Sequence, residues 1–290
     1  MDGEGRLGRD AGLAMSRPPP RRSSPIAVVC VGNTHTRGAL LYGERVTRLR
    51  VARTATLGPS QAQRWLAEFR LAGAAGLAFA SVVPAGSRLW RAALRRGWTG
   101  PVRIIRWNRV PGLRFEYPQP RTLGADRLAS LAAVVGPRDR PTLIIDAGTA
   151  TTFNAVDRNG TFLGGAIAPG LAAMLDALAC RTALLPRLPP GPPGRAPAKS
   201  TGASMRLGVA LGWQAMVREV TQAILTHPRM RGATVIATGG GAREVRRALG
   251  KAVVQPHLAL VGLARWYQAV TAAPARRRAA GSTRARRAAG

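Results

Sequence analysis

Acidic residues are scarce in this chain. Only 13 Asp and Glu stand against 44 Lys and Arg in 290 residues, a formal net charge of +31. A field of that sign attracts phosphates, acidic membranes or nucleic acid. Arg far outnumbers Lys, and Ala, Gly and Pro abound, so a composition bias accounts for the charge as well. Nucleic acid is therefore not the expected partner, although the basic surface leaves that route open. Cysteine is rarer still. Cys30 and Cys180 lie far apart and match neither a disulfide framework nor a metal-ligand spacing. Runs of about 18 uncharged apolar residues are missing, which excludes a membrane-spanning helix. The stretch from Met1 to Ser24 lacks the apolar centre of a secretory signal. A soluble, cytoplasmic protein without a membrane partner is expected.

What is present suffices for a large core, since 46% of the residues are hydrophobic. Residues 1–24, with three consecutive prolines and no periodicity, read as a disordered basic extension. Residues 273–290, rich in Arg, Ala and Gly, read as a disordered tail. Between them the pattern divides into two lobes, 25–140 and 141–272. The first opens with a buried β-branched strand from Ile26 to Val31, followed by strands at Arg37–Tyr42 and Val46–Val51. Helical spacing over Ser60–Leu71, a strand at Leu77–Val83, a helix at Ser87–Arg95, a strand at Val102–Trp107 and a helix at Ala125–Val135 complete it. The second half restarts the pattern with strands at Thr142–Ile145, Thr151–Val156 and Phe162–Ala168. Helices at Leu171–Cys180, Gly202–Leu225, Ala242–Leu249 and Ala259–Val270 follow, with one strand at Thr234–Ala237. Two similar openings predict a duplicated α/β fold of two lobes that grip a ligand between them.

Four segments carry chemistry. In Cys30-Val31-Gly32-Asn33-Thr34-His35, Gly32 permits a tight turn and a close backbone approach to phosphate. Asn33 and Thr34 offer donors, and Arg37 follows with a charge; an ordinary hairpin turn reads equally well from these residues. Asp146-Ala147-Gly148-Thr149-Ala150-Thr151-Thr152 places a carboxylate at a strand's end beside a Gly-Thr turn, with the hydroxyls of Thr149 and Thr151 suited to phosphate. A buried carboxylate there requires a cation or backbone donors. Gly124-Ala125-Asp126-Arg127 opens a helix, whose first amides favour an anion. Thr238-Gly239-Gly240-Gly241 is a Gly-rich turn between strand and helix, a weak pointer to a nucleotide.

Together these segments resemble the type III pantothenate kinases, the family that includes the Bvg accessory factors. The resemblance runs from about Ile26 to Gln268. Its most specific stretch is Ile144 to Phe153, continued by Gly164-Gly165-Ala166-Ile167-Ala168-Pro169-Gly170 and Arg181 to Pro186. Tyr117, Pro120 and Lys199-Ser200-Thr201 also fit. The resemblance implies an α/β actin-like ATPase fold, a duplicated pair of ribonuclease H-like lobes. It implies phosphorylation of pantothenate by ATP with Mg2+, the first step toward coenzyme A, in a homodimer whose pocket lies at or near the subunit interface.

The resemblance also assigns roles. Asp126 would be the general base. Tyr117, Gly124, Ala125, Arg127 and Thr201 would shape the pantothenate site, Arg127 pairing the substrate carboxylate. Cys30, Val31, Gly32, Asn33, Thr34, His35, Thr36, Arg37 and Thr149 would bind ATP. Asp146 would hold a monovalent cation, K+ or NH4+. One position departs from the pattern: the family's first motif begins with Asp where this chain has Cys30, and a neutral thiol is a poor Mg2+ ligand. Besides an active kinase, a catalytically impaired homologue with a regulatory or nucleic-acid-binding role, or another phosphotransferase or phosphatase on the same fold, therefore stays open.

Overall fold

The computed structural model describes residues 24–136 and 140–287, with side chains described as far as residue 272. The N-terminal extension expected over 1–24 thus lies almost wholly outside the described residues. β1 (Ile26–Val31) is a β-branched, almost fully buried strand. It pairs antiparallel with β2 (His35–Tyr42), which pairs antiparallel with β3 (Arg45–Arg53). α1 (Pro59–Leu71) leads to β4 (Gly76–Ser81), parallel to β1, and α2 (Pro84–Gly97) leads to β5 (Val102–Ile104). Both helices open on proline, whose missing N–H costs nothing at a first turn. The sheet order is β3-β2-β1-β4-β5.

The chain then lays down β6 (Arg114–Phe115) and α3 (Ala125–Ala132) and repeats the pattern. β7 (Thr142–Ala147), β8 (Ala150–Val156) and β9 (Thr161–Pro169) form an antiparallel meander. α4 (Leu171–Arg181) and α5 (Thr201–Leu225) precede β10 (Thr234–Thr238), parallel to β7. α6 (Ala242–Leu249), β11 (Val253–Val254) and α7 (Leu258–Arg287) complete the order. The second sheet reads β11-β10-β7-β8-β9-β6. Apart from the added edge strand β6, it repeats the connectivity of the first.

Each sheet is buried on both faces, which is why its central strands are continuous apolar runs. Ala27, Val29 and Val31 pack with Trp65, Phe69 and Trp90 of α1 and α2 on one side of the first sheet. Leu143, Ile145 and Ala147 pack with Trp213, Val217 and Val245 of α5 and α6 on the outer side of the second. The inner faces share one core. Val28 and Ala78 from the first sheet and Ile144 and Phe162 from the second meet Leu128, Leu131, Leu263 and Trp266 there. Those last four come from α3 and α7, which lie between the lobes.

The sequence reading needs adjustment at several edges. The strand expected to reach Trp107 ends at Ile104, and Trp107–Arg109 form a short 3-10 turn. α3 stops at Ala132 rather than Val135. The backbone of α7 runs to Arg287, through the stretch read as a disordered tail. The side chains of that stretch lie outside the described residues. β6 joins the second sheet beside β9, and α7 packs on α3, β1 and β4 of the first half. Each half of the chain therefore lends an element to the other.

α3 and α7 approach so closely that only glycine fits at the crossing. A Cβ on Gly262 would collide with the carbonyl oxygen of Ala129. Gly208, inside α5, has open space where its Cβ would be. Gly262→Ala should therefore lower the free energy of unfolding by about 2 kcal/mol or more. Gly208→Ala should leave it unchanged or raise it by up to about 1 kcal/mol. Urea unfolding of both variants reads the contrast, and equal effects would contradict this account of the crossing.

Candidate active site

The turns that open the two sheets meet between the lobes. The β1–β2 turn is closed by Gly32, whose amide donates to the His35 carbonyl at 3.0 Å. Thr54 braces it from β3's end, its hydroxyl donating to the Gly32 carbonyl at 2.7 Å and its amide to the Thr34 carbonyl at 2.9 Å. The β7–β8 turn repeats this design, the Gly148 amide donating to the Ala150 carbonyl at 3.0 Å. Gly170, at the end of β9, donates to the Thr149 carbonyl at 3.0 Å. A side chain at Gly170 would strike the Gly148 carbonyl. The hydroxyls of Thr34 and Thr149 share a hydrogen bond of 2.6 Å, which joins the two turns across the cleft.

The Gly-rich turn after β10 closes one side. Gly239 has φ +84, and a Cβ there would run into the Asp146 carboxylate and the Ala147 carbonyl. Glycine therefore lets the backbone lie directly against Asp146. The Gly241 amide donates to the Ala147 carbonyl at 2.8 Å and locks that contact. On the other side, α3 follows directly on Gly124 and carries Asp126 in its first turn, where the helix dipole favours a negative charge. The Arg127 amide donates to Asp126 Oδ1 at 2.7 Å.

The resulting cleft has a volume of roughly 300 Å3 and is lined by Cys30, Asp126, Asp146, Arg37 and Arg127 with both Gly-Thr turns. A roomier open groove of about 780 Å3 lies by β5 and α7, with Arg103, Arg106 and Arg109 on its wall and no carboxylate. Acid-base chemistry belongs to the interlobe cleft. Burial, reinforced by the carboxylate of Asp126, pushes Asp146 up to about 6, while Arg37 pulls the other way. Burial, reinforced by the carboxylates of Asp126 and Asp146 and opposed by Arg37, pushes the Cys30 thiol up to about 12, so it is neutral at physiological pH. Arg127 is shifted down by burial, with Tyr117 and Asp126 opposing. Its Nε donates to Asn154 Oδ1 at 2.7 Å, and its guanidinium lies 5.6 Å from the Phe162 ring centroid.

Of the residues singled out from the sequence, Cys30, Gly32, Asn33, Thr34, His35, Arg37, Asp126, Arg127, Asp146 and Thr149 line this cleft. Val31 and Thr36 do not. Alternation along a strand turns every second side chain away. Val31 enters the core with α1 and α2, and the Thr36 hydroxyl bonds Thr54 at 3.0 Å. The same rule corrects Thr151, expected to face phosphate: its hydroxyl is fully buried and accepts from Trp213 Nε1 at 2.9 Å. Its neighbours Thr152 and Asn154 face the cleft instead, which alternation could have told. Gly124 and Ala125 sit behind Asp126 at the start of α3. Tyr117 packs on Phe162 with centroids 5.5 Å apart, off the lining. Thr201 stands exposed in the first turn of α5, also off the lining. Ser130 and the stretch Pro256–Leu260 line the cleft without any local signal in the sequence.

Two lobes of one repeated topology, closing on a cleft of glycine turns and acids, define the actin-like ATPase fold. A structure described as that of a Baf family transcriptional activator from Campylobacter jejuni shares the fold, with a TM-score of 0.55 at 15% identity over 84% of this chain and 98% of that one. The sequence model of the type III pantothenate kinases matches residues 26–223, and the chain belongs to that family. A type III pantothenate kinase of Akkermansia muciniphila is 39% identical over 153 residues, 52% of this chain and 63% of that relative. One from Thermomicrobium roseum is 30% identical over 253 residues, 84% of this chain and 96% of the relative. No helix among the described residues is long and apolar enough to cross a membrane.

The raised Asp146 fixes a pH dependence. Its carboxyl holds a proton more tightly folded, at about 6, than at the ordinary 3.8. Its contribution to stability is complete below the lower value and is lost as pH rises through the upper one. Relative to Asp146→Asn, the wild type should lose on the order of 2 kcal/mol between about pH 4 and pH 7, in the absence of added K+. Urea unfolding of both proteins at the two pH values measures this. Parallel profiles would mean that Asp146 titrates normally.

Proposed function

We propose that the protein transfers the γ-phosphoryl group of ATP to the terminal hydroxyl of pantothenate, opening coenzyme A synthesis in the cytoplasm. The observation that carries this reading is the position of Asp126: a carboxylate on α3, in the interlobe cleft with both Gly-Thr turns. The turns Gly32–Thr34 and Gly148–Thr149 offer amides and hydroxyls to the nucleotide's phosphates. Arg127, steadied by Asn154 and Phe162, would take the acid end of pantothenate. The acceptor oxygen then attacks the γ-phosphorus, the bond to the β-phosphate oxygen breaks, and the hydroxyl proton goes to Asp126. Little else is needed, because phosphoryl transfer depends mainly on alignment and charge.

The donor set bears on the ions. Asp146, buried with the backbone of Gly239 against it, suits a monovalent cation such as K+ or NH4+, which would restore its charged form. Cys30, neutral and buried, does not suit Mg2+. Among the described residues no group of three or more His, Cys, Asp or Glu is placed to hold a metal ion. Mg2+ would therefore draw most of its ligands from the phosphates it accompanies and from water; bound there, it neutralises phosphate charge. Tyr117 flanks Arg127 from outside the lining, and Thr201 lies away from it. The expected homodimer, with its pocket near the interface, is the arrangement in which an exposed Thr201 would serve a site. The second reading, an impaired homologue with a regulatory or nucleic-acid-binding role, draws on Cys30 and the charge of +31.

Purified full-length protein with ATP, Mg2+, K+ and pantothenate should form phosphopantothenate. Asp126→Asn should lower turnover by about 10²- to 10⁴-fold, and Cys30→Asp should raise it about tenfold or more. Phosphorus NMR or a coupled ADP assay reads both. Should wild type and Cys30→Asp both be inert, the kinase reading fails and the regulatory one takes its place.

A further inference from the structure

Ser130 lies one turn beyond Asp126 on α3, on the same helix face. Its side chain is 1% exposed and borders the interlobe cleft, yet its hydroxyl has no hydrogen-bond partner. A buried hydroxyl without a partner is a net cost to folding, and alanine would fill the space without it. The hydroxyl is therefore explained by what enters the cleft.

A second observation meets it there. The stretch Pro256–Leu260, at the start of α7, lines the same cleft. His257 holds φ +62, a left-handed conformation that a residue with a Cβ adopts at a cost, often at a functional site. In this conformation its carbonyl accepts from the amides of Leu260 and Val261 at 2.9 and 3.1 Å and so caps α7. The amides of Leu258 and Ala259 remain as the free first-turn donors of a long helix, at the positive end of its dipole. Arg37, which pairs with Cys30 across β1 and β2, borders the same space. The burial of His257, with the charge of Arg37 adding to it, holds the imidazole below its usual pKa, so the ring stays neutral at physiological pH.

We infer that Ser130, Arg37, His257 and the first turn of α7 form a subsite for the phosphoryl group in transit between nucleotide and acceptor. Amide, hydroxyl and guanidinium donors on separate elements suit a tetrahedral group with three non-bridging oxygens. A planar carboxylate would use fewer of them and already has Arg127 elsewhere in the cleft. This subsite rests on the phosphotransfer reading and deepens it: the donors of α3 and α7 would hold charge that a carboxylate-bound metal would otherwise carry. Ser130 and His257 are then binding residues for the group transferred, while Asp126 handles the proton.

The test uses the full chain and inorganic phosphate as probe, titrated calorimetrically at moderate salt so that the general basic surface is screened. Ser130→Ala should match or exceed the wild-type melting temperature without phosphate and should bind phosphate about tenfold more weakly. His257→Gly, which accepts the left-handed backbone, should also keep the melting temperature and lose affinity severalfold. Wild-type phosphate affinity in either variant overturns the subsite, as does a Ser130→Ala protein that unfolds, since the hydroxyl would then have a structural role. Turnover separates the two claims. An active wild type with an equally active Ser130→Ala leaves the kinase reading standing and removes the subsite. Phosphate bound through Ser130, with wild type and Cys30→Asp both inert, keeps an anion subsite and removes the kinase.

Discussion

Two carboxylates and a thiol share one small cleft, and much of the surrounding structure answers to that crowding. Asp126 raises the pKa of both Asp146 and Cys30, and Arg37 opposes it at each. A third negative charge at position 30 would increase the repulsion, because like charges in a poorly solvated space each favour the other's protonation. The thiol, neutral far above physiological pH, avoids that. It also gives up a hard oxygen ligand, so the task of neutralising phosphate passes to amides, hydroxyls and arginines. The glycine at position 239 belongs to the same response, since it lets backbone approach Asp146 where a side chain could not.

The helices that position these groups also join the lobes. α3 carries Asp126 and Ser130 toward the cleft and lays Ala129 against Gly262 of α7. α7 begins at the cleft, just after His257, and sets Trp266 and Tyr267 in the shared core. The acid, the orphan hydroxyl and the free amides are thus fixed to one helix pair rather than to separate loops. Such anchoring favours precise alignment, on which phosphoryl transfer chiefly depends. The bond between Thr34 and Thr149 ties the two turns opposite that pair.

What the sequence revealed and what it hid follow from how local each signal is. The glycine turns after β1 and β7 were legible because a turn's chemistry is written in adjacent residues. The duplicated topology was legible because buried strands announce themselves as apolar runs. The resemblance places Val31 and Thr36 at ATP, and the Gly-Thr turn suggests Thr151 for phosphate, yet the two-residue period turns all three inward. Strands β6 and β11, two residues each, are too short to carry a pattern. Ser130 and His257 were invisible for another reason. Ser130 matters because a helix buries it without a partner, and His257 because α7 crosses back to the first lobe. Neither fact exists before the chain is folded.

The scarcity of acids sharpens the case for this cleft. Among the described residues, Glu44, Glu68, Glu116, Asp157 and Glu244 each pair with an arginine. Asp176 and Glu219 are exposed, where an unpaired charge is solvated and costs little. Only Asp126 and Asp146 remain, partly buried and in no ion pair, although basic residues outnumber acids 44 to 13. In so basic a chain, a structural carboxylate would find an arginine easily. Two that form no salt bridge, although Arg37 and Arg127 line the same space, keep their oxygens available, and a proton acceptor and a cation ligand are the roles that use them.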